Sequence, residues 1–522
     1  MRIYDIIKRK RDGAELTEEE ISFFTQSVTN GFASDEQTGA FLMAVYFNGM
    51  TRAETLALTN AMAKSGDRLD LSGWGRACAD KHSSGGVGDK TTLAVAPLAA
   101  CCGVTVAKMS GRGLGFTGGT VDKLESIPGF KTKLDEEEFA RIAKKTGIAV
   151  VAQTKNLAPC DKKLYAARDL TATVDSVPLI VSSIMSKKLA AGAPNIVLDV
   201  KTGSGAFAKT RRFAETLARE MTLVARLAGR RATAFVTDMD EPLGYCVGNA
   251  LEVAEAAEVL RGRGEPRLTE LCLALASEMT RLALGISAKE AEERVREALE
   301  TGGALKKFKE WVAAQGGDTA FLNAPERICN APFSMDVKLK GGGFVVGINA
   351  EKIGETCLAL GAGRNKKEDG IDLSAGIVLR KKKGDFAAEG ETCVTLYCSD
   401  EKLFEKGKIG KLTLKNRIVM TPMGTGFAAA SGEASEEITK FYEERAKGGV
   451  GLIICEVCRV DELSGIAQPC QLRATDMNVI PSFTRMVDRI HAYDTKVFMQ
   501  LHHPGNEAFP ITLHGNPVLS LI

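Results

Sequence analysis

The chain has 522 residues, of which 44% are hydrophobic and 26% are charged, a composition typical of a globular protein with more than one core. Its 68 Lys and Arg residues nearly balance its 66 Asp and Glu residues, which argues against nucleic acid or an anionic membrane surface as a partner. No apolar run approaches the roughly 18 residues that a membrane-spanning helix needs, so a cytoplasmic protein is predicted.

Helical and α/β patterns follow one another along the chain. The first 70 residues predict helices, with a capping box at Thr17–Glu20. From about residue 80, glycine-rich loops alternate with apolar segments, as in an α/β domain. The further predicted elements are helices over 93–102, 210–228 and 265–285, strands over 104–108, 195–200 and 232–237, and short strands between 335 and 400.

The first glycine-rich loop, residues 80–92, has the composition of an anion site. It offers glycine amides, the hydroxyls of Ser83 and Thr92 and the ammonium of Lys81, and a predicted helix follows it. A nucleotide-binding P-loop is disfavoured because an aspartate interrupts the required Gly-Lys-Ser/Thr order. For this loop taken alone, a glycine turn without a ligand remains the alternative.

A second loop of the same kind spans residues 108–120. It also follows a predicted strand, and it offers Lys108, Ser110 and Thr120. If the two loops converge, they supply the cations and neutral donors that a phosphate dianion needs. His82, within the first loop, is suited to proton transfer near neutral pH.

Four segments carry a resemblance to a known family: KHSSGGVGDKTTL (81–93), AKMSGRGLGFTGGTVDKLESIPGF (107–130), LYAARDLTATVDSVPLIVSSIMSKKLAAG (164–192) and LDVKTGSGAF (198–207). They resemble the signature segments of the thymidine and pyrimidine-nucleoside phosphorylases, and the similarity runs from the first residue to about residue 400. The resemblance implies a homodimer that uses inorganic phosphate to convert uridine, thymidine or deoxyuridine to the free base and (deoxy)ribose 1-phosphate.

The resemblance also implies roles for individual residues. Phosphate would be bound by Lys81, Ser83, Thr92, Lys108, Met109, Ser110 and Thr120. The nucleoside would be bound by Tyr165, Arg168, Ile180, Ser183 and Lys187, and the candidate catalytic residues are His82, Arg168 and Lys187. A potassium-like cation would be bound by Gly88, Lys90, Leu243, Cys246 and Glu255. Without the resemblance, Arg168 and Lys187 are better interpreted as solvated surface charges.

Two residues depart from the family pattern. Lys90 stands where some members have threonine, and its ammonium would compete with a metal ion. Phe116 replaces a histidine found in many relatives, so any role of that histidine is altered or dispensable here. Neither departure affects the implied phosphate or base ligands.

The fold class implied by the resemblance is α/β, with helical and α/β domains facing each other across a cleft. The predicted domains are a helical domain (1–70 with part of 160–195), an α/β phosphate-binding domain (71–330), a truncated β-rich C-terminal domain (335–400) and a partial β/α barrel (403–522). In the last region, strands over 450–455 and 496–501 and helices over 435–447 and 481–493 give the order typical of parallel barrels.

Residues 403–522 resemble the start of an old-yellow-enzyme-type flavin reductase. The matching segments are IGKLTLKNRIVMTPMGTG (409–426), FYEERAKGGVGLIICEV (441–457) and FMQLHHPGNEA (498–508). The resemblance implies that Pro422, Met423, Gly424 and Gln500 would lie at the flavin. Because a complete barrel has eight strands and this region has sequence for about three, FMN binding is not expected. A flavin-dependent enoate or dienoyl reductase and an inactive fusion remain as alternatives.

Overall fold

A computed structural model describes residues 1–504, apart from 70, 72–73, 75–76, 114, 117, 155, 325–327, 340, 365, 367–368, 405–407 and 463–464. The chain forms two compact units, an N-terminal unit (Met1–Leu403) and a tail unit (Phe404–Ile522). Within the described ranges, no helix is long and apolar enough to cross a membrane.

Helices and strands alternate through both units. The helices of the N-terminal unit are α1 (Ile3–Arg11), α2 (Glu18–Asn30), α3 (Asp35–Asn48), α4 (Arg52–Ala63), α5 (Thr91–Cys101), α6 (Thr120–Glu125), α7 (Glu136–Thr146), α8 (Pro159–Leu170), α9 (Val177–Ala190), α10 (Arg211–Leu227), α11 (Asn249–Leu260), α12 (Pro266–Leu284), α13 (Ala288–Glu300), α14 (Gly303–Ala314) and α15 (Ala350–Cys357). Its strands are β1 (Ala79–Ser83), β2 (Val106–Ser110), β3 (Ile148–Ala152), β4 (Asn195–Thr202), β5 (Arg231–Asp238), β6 (Cys246–Val247), β7 (Phe333–Lys338), β8 (Gly343–Phe344), β9 (Gly376–Leu379), β10 (Phe386–Ala387) and β11 (Thr392–Cys398). The tail unit contains α16 (Glu436–Lys447), α17 (Ile480–His491), β12 (Lys408–Ile409), β13 (Leu412–Thr413), β14 (Val419–Met420), β15 (Leu452–Arg459), β16 (Leu472–Arg473) and β17 (Lys496–His502).

The first four helices form a helical domain together with α8 and α9, which join it from later in the chain. Capping boxes begin α2, α3 and α4, where the hydroxyls of Thr17, Ser34 and Thr51 each accept a main-chain amide three residues later. In the core, the rings of Phe24 and Phe41 stack with 3.8 Å between their centroids. This packing fixes α8 and α9 on the face of the helical domain that borders the cleft described below.

Parallel strands form the centre of the α/β domain. β4 lies between β1 and β5, and β2 pairs with β3. A parallel bridge between Cys78 and Thr105 links the start of β1 to the start of β2, which gives the strand order β3-β2-β1-β4-β5. Because the strands are parallel, their carboxyl ends share one edge, where ligands bind in open α/β sheets.

An antiparallel sheet, in the order β6-β9-β11-β7, forms the β-rich domain. Since β6 precedes α11 of the α/β domain in the chain, this sheet connects the two domains. The Lys382 ammonium reinforces the connection by donating to the carbonyl oxygens of Pro242 at 2.7 Å and Gly244 at 3.2 Å.

The tail unit is built around β15, which pairs in parallel with β14, β16 and β17. Helices α16 and α17 pack against each other, and Tyr442, Ile453 and Cys455 are buried in its core. The strand-helix-strand order predicted for this region is therefore present. Cys455 and Cys458 are both buried on β15.

We expect limited proteolysis to cut first near residues 400–410 and to leave a stable fragment that contains residues 1–400. On β17, the side chains of Phe498, Met499 and Leu501 are 38%, 39% and 65% exposed. Apolar strand surface of this kind favours local unfolding or association of the tail unit. Gel electrophoresis and mass spectrometry of the fragments would check this, and uniform resistance of the whole chain would contradict it.

Candidate active site

The two glycine-rich loops begin side by side at the carboxyl edge of the sheet. β1 ends at Ser83 and β2 ends at Ser110, and the Lys108 ammonium donates a hydrogen bond to the Lys81 carbonyl oxygen. Because side chains alternate along a strand, Lys81 and Ser83 share one face of β1, and Lys108 and Ser110 share one face of β2. Four of the seven predicted phosphate residues, Lys81, Ser83, Lys108 and Ser110, thus lie at adjacent strand ends.

The first loop turns at Gly88, just before α5. Gly88 has a φ of +74°, and a Cβ atom at this position would lie 2.7 Å from the Leu243 carbonyl oxygen. Both the left-handed conformation and this close approach require glycine. The Leu243 amide also donates to the Val87 carbonyl oxygen at 3.1 Å, so the loop is held directly against the segment that precedes β6.

Buried lysines and aspartates form a charge network beneath the two loops. Its members are Lys81, Lys108, Lys188, Lys201, Asp80, Asp89 and Asp199. The Lys108 ammonium lies 3.2 Å from Asp80 Oδ1, and the Lys188 ammonium lies 2.9 Å from Asp80 Oδ2. Lys81 lies 3.4 Å from Asp199 Oδ2. With four lysines and three aspartates, the network has an excess positive charge when Lys108 is protonated, and a bound anion would neutralise it.

His82, beside this network, and Lys108, within it, have lowered pKa values. Burial, followed by the charges of Lys188 and Lys108, lowers the pKa of His82 well below its usual value. Burial also lowers the pKa of Lys108 to about 7, although Asp80 opposes this shift. Near neutral pH, His82 is therefore a neutral imidazole that can donate an N–H hydrogen bond, and Lys108 is only partly protonated.

A cleft of about 650 Å³ lies between the helical domain and the glycine-rich loops. One wall comes from α8 and α9 and includes Tyr165, Arg168, Ile180 and Ser183, which are four of the predicted nucleoside-binding residues. The other lining residues belong to both glycine-rich loops, to residues 205–209, to α10 and to Glu351. The predicted phosphate residues, His82 and Lys187 do not themselves line this cleft. A cleft of this size is suited to a small-molecule substrate.

The two cations predicted to bind the base are already fixed by hydrogen bonds. Arg168 donates from Nη1 to the Leu179 carbonyl oxygen at 3.0 Å and from Nη2 to the Val174 carbonyl oxygen at 2.5 Å. Lys187 donates to Asp161 Oδ2 at 2.6 Å. Arg168 lines the cleft, and the Lys187 ammonium lies behind it, 3.3 Å from the hydroxyl of the lining residue Ser183. Such preorganised charge is what stabilises a developing anion most effectively.

Family models match successive parts of the chain: the helical bundle domain of the glycosyl transferase family (4–66), its a/b domain (75–305), the pyrimidine nucleoside phosphorylase C-terminal domain (344–408) and the NADH:flavin oxidoreductase / NADH oxidase family (402–515). A pyrimidine-nucleoside phosphorylase from Staphylococcus haemolyticus is 51% identical over 404 residues, which are 77% of this chain and 93% of that protein. The chain belongs to the pyrimidine-nucleoside phosphorylase family. It is accordingly a pentosyltransferase, followed by a segment similar to the flavin oxidoreductases.

A second phosphorylase matches over a similar extent. The pyrimidine-nucleoside phosphorylase of Geobacillus stearothermophilus is 50% identical over 424 residues, which are 81% of this chain and 98% of that protein. Among solved structures, the crystal structure of anthranilate phosphoribosyltransferase from Thermus thermophilus aligns with a TM-score of 0.49 at 21% identity and covers 60% of this chain and 99% of that one.

The remaining predicted phosphate residues of this phosphorylase differ in where their side chains lie. Thr92 is in the first turn of α5, and Thr120 begins α6. The Met109 side chain instead packs in an apolar core with Phe139 and Val151. Only the main chain of Met109 is therefore available to the site.

The five predicted cation-binding residues come together, but the Lys90 ammonium occupies their centre. Lys90 Nζ donates to Leu243 O at 2.7 Å, to Cys246 O at 2.8 Å and to Glu255 Oε2 at 2.5 Å. The Gly88 carbonyl oxygen accepts the Lys90 main-chain amide at 2.9 Å. Burial opposes the charge of Lys90, but Glu255 outweighs it and the pKa of Lys90 is raised. A potassium ion does not fit this set of residues, because the oxygen atoms that would bind the ion already accept hydrogen bonds from the Lys90 ammonium.

The aspartates that pair with Lys187 and with the lysines of the charge network were not predicted from the sequence. Asp80 and Asp199 precede lysines on β1 and β4, and Asp161 lies on α8 four residues before Tyr165. The spacing on α8 was a usable signal, because residues four apart share a face of a helix. Asp80 gave no such signal, because its partners Lys108 and Lys188 lie on β2 and α9. Asp199 did give one, because Lys201, which lies 2.7 Å from it, is two residues later on the same face of β4.

In the tail unit, Pro422, Met423 and Gly424 follow β14, and Gln500 lies on β17. Both strands pair with β15 in parallel, so these positions lie toward the same end of the sheet. Met423 is 59% exposed, and a flavin placed against it would be open to solvent within this unit. Residues 505–508 of the matching motif lie outside the described part of the chain.

Proposed function

We propose that this chain catalyses the phosphorolysis of uridine, thymidine and deoxyuridine to the free base and (deoxy)ribose 1-phosphate. The observation that carries the proposal is the cleft of about 650 Å³, whose walls come from the two glycine-rich loops and from the helices that bear Arg168 and Lys187. The relatives at about 50% identity, named pyrimidine-nucleoside phosphorylases, support the same reaction. The homodimer implied by the resemblance stays a prediction.

In the proposed reaction, phosphate at the loops attacks the anomeric carbon of the nucleoside. A C–O bond forms to phosphate while the C–N glycosidic bond breaks, and its electron pair leaves with the base. Arg168 and Lys187 stabilise the negative charge that develops on the pyrimidine, and the neutral His82 donates a hydrogen bond to it. The proposed phosphate ligands are Lys81, Ser83, Thr92, Lys108, Ser110, Thr120 and the main chain of Met109.

The test is release of uracil or thymine from the three nucleosides, followed by ultraviolet absorbance, with and without inorganic phosphate. Phosphate-dependent release from the purified chain, reduced in His82→Ala, would support the proposal and rank the substrates. Release that does not depend on phosphate, or no release from a folded sample, would contradict it. A yellow protein that oxidises NADH with an enoate would support the flavin reductase alternative.

We expect inhibition by sulfate to weaken as the pH rises above about 7, because the Lys108 ammonium that attracts the anion then loses its proton. The pKa of Lys108, about 7, lies below its usual value, so the charge is present at lower pH and lost at higher pH. Sulfate is a suitable probe because it carries two charges throughout this range, whereas phosphate titrates.

The measurement is the inhibition constant of sulfate against phosphate between about pH 6 and 9. The constant should rise by up to about tenfold per pH unit above the pKa. In Lys108→Arg, whose side chain stays protonated, the dependence should flatten. An inhibition constant that does not change with pH in the unsubstituted enzyme would contradict the assignment.

A further inference from the structure

The Lys90 ammonium, Leu243 O, Cys246 O and Glu255 Oε2, here called the lysine cage, form a closed hydrogen-bonded set. An ammonium has three N–H donors, and the three oxygens accept them at 2.7, 2.8 and 2.5 Å. The Lys90 side chain is 0% exposed and that of Glu255 is 6% exposed. Two carbonyls and a carboxylate are also the kind of oxygen ligands that a hard metal ion uses. The lysine therefore stands in the position of an ion.

The charges around the lysine cage are balanced without a metal. The neighbouring acid, Glu252, is paired with Lys123 at 3.2 Å, as Glu255 is paired with Lys90 at 2.5 Å. A metal ion added to this region would be an uncompensated buried charge, which is strongly unfavourable. The residues that would attract a cation are thus already neutralised.

The lysine cage also joins parts of the fold that shape the proposed phosphate site. Lys90 is the residue immediately before α5, and its side chain reaches the segment that leads into β6. Glu255, on α11, additionally accepts the amides of Tyr245 and Cys246, at 2.6 and 2.9 Å. One buried cation therefore positions the first glycine-rich loop against β6 and α11.

We propose that the Lys90 ammonium permanently replaces a monovalent metal ion, so that this enzyme neither binds nor requires potassium. Removing the ammonium while leaving space should convert the lysine cage into a true potassium site. The activity readout of this inference rests on the proposed phosphorolysis. The stability readout does not depend on phosphorolysis, so a failure of the potassium inference can be distinguished from a failure of the proposed function.

The first experiment uses the unsubstituted chain at matched ionic strength in potassium chloride and in tetramethylammonium chloride. We expect phosphorolysis rates in the two salts to agree within about twofold, and Tm to be the same. A rate that collapses without potassium, or a saturable rise in Tm with potassium, would overturn the proposal. If no phosphorolysis occurs at all, the Tm comparison still decides.

The second experiment compares Lys90→Thr, which opens the lysine cage, with Lys90→Met, which fills it without charge. In tetramethylammonium chloride both should lose at least about tenfold in rate, as when an ion site is disrupted. Potassium or ammonium chloride should restore most of the rate of Lys90→Thr and raise its Tm by on the order of 5 °C. Lys90→Met should respond to neither salt.

Lys10→Thr is the matched control, because Lys10 is also buried and pairs with Glu54 at 2.8 Å, but within the helical domain. It should be destabilised without a specific response to potassium. A Lys90→Thr protein that shows no larger potassium response than Lys10→Thr would overturn the inference. If Lys90→Thr folds only when potassium is present, that recovery itself supports the inference that Lys90 replaces the ion. The comparison of the two salts on the unsubstituted chain tests the inference even if neither Lys90 variant folds.

Discussion

Replacing Lys187 with methionine is expected to lower kcat for uridine by about 100- to 1,000-fold, the usual effect of removing one donor to a developing negative charge. The Lys187 ammonium lies 2.6 Å from Asp161 Oδ2 and 3.3 Å from the hydroxyl of Ser183, which lines the cleft, and the Lys187 side chain is 25% exposed. Because Asp161 holds the ammonium before the substrate binds, its charge acts without reorganisation. Steady-state kinetics with uridine and phosphate varied separately would measure the loss.

Lys163→Met is the matched control for this variant. Lys163 lies on α8, and its ammonium donates to the carbonyl oxygens of Val28 at 3.0 Å and Thr29 at 2.7 Å. Since these contacts lie on the helical domain and not among the residues that line the cleft, kcat should stay within about twofold of the original value. Wild-type kcat in Lys187→Met would contradict the role proposed for Lys187, and equal losses in both variants would indicate a loss of stability in the helical domain.

Lys108→Met is expected to lower kcat/KM for phosphate by at least about 100-fold, with a smaller effect on KM for uridine. Lys108 is one of the two lysines at the adjacent strand ends from which the loops begin. Its partner Asp80 keeps the Lys188 ammonium at 2.9 Å, so the variant does not leave a buried carboxylate unpaired. Initial rates at varied phosphate concentration would measure the effect.

Lys188→Met provides the comparison, because it removes a lysine from the same carboxylate and leaves Lys108 in place. The Lys108 ammonium would remain 3.2 Å from Asp80 Oδ1. This variant should lose stability but keep KM for phosphate within about tenfold. Equal losses of kcat/KM in the two variants would contradict a direct contact between Lys108 and phosphate.

Local patterns predicted most of the elements of the fold. The capping box at Thr17 gave the start of α2, and apolar runs gave β4 and β5. The strand predicted over 104–108 lies two residues later, at Val106–Ser110. The reason is that residues just after α5 close the helix, and the Val104 amide donates to the Ala99 carbonyl oxygen. The turn that ends α5 contains apolar residues, and the hydrophobic pattern of the sequence therefore assigns them to the strand that follows.

The candidate site was less accessible to sequence reasoning, because its chemistry depends on contacts between distant segments. The loops and their lysines could be named from the sequence, but the shared use of Asp80 by Lys108 and Lys188 could not. The sequence already showed that Lys90 places an ammonium where the family resemblance implies a metal ion. Only the fold reveals that this ammonium reaches Glu255, a residue far away in the chain.

The neutral state of His82 also follows from the fold alone. In the sequence, His82 is a histidine in a polar loop, and such a residue ordinarily titrates near neutral pH. In the structure, burial and the ammoniums of Lys188 and Lys108 lower its pKa. We therefore propose that His82 acts as a hydrogen-bond donor to the leaving base and that the base takes its proton from solvent.

In the proposed reaction phosphate, and not water, takes up the sugar. Phosphorus NMR of a reaction containing uridine and inorganic phosphate tests it most directly. Phosphorolysis predicts that the inorganic phosphate signal converts to a sugar phosphate signal in equal amount to the uracil released. Uracil release with the phosphate signal unchanged, or no conversion by a folded sample, would contradict the proposed function.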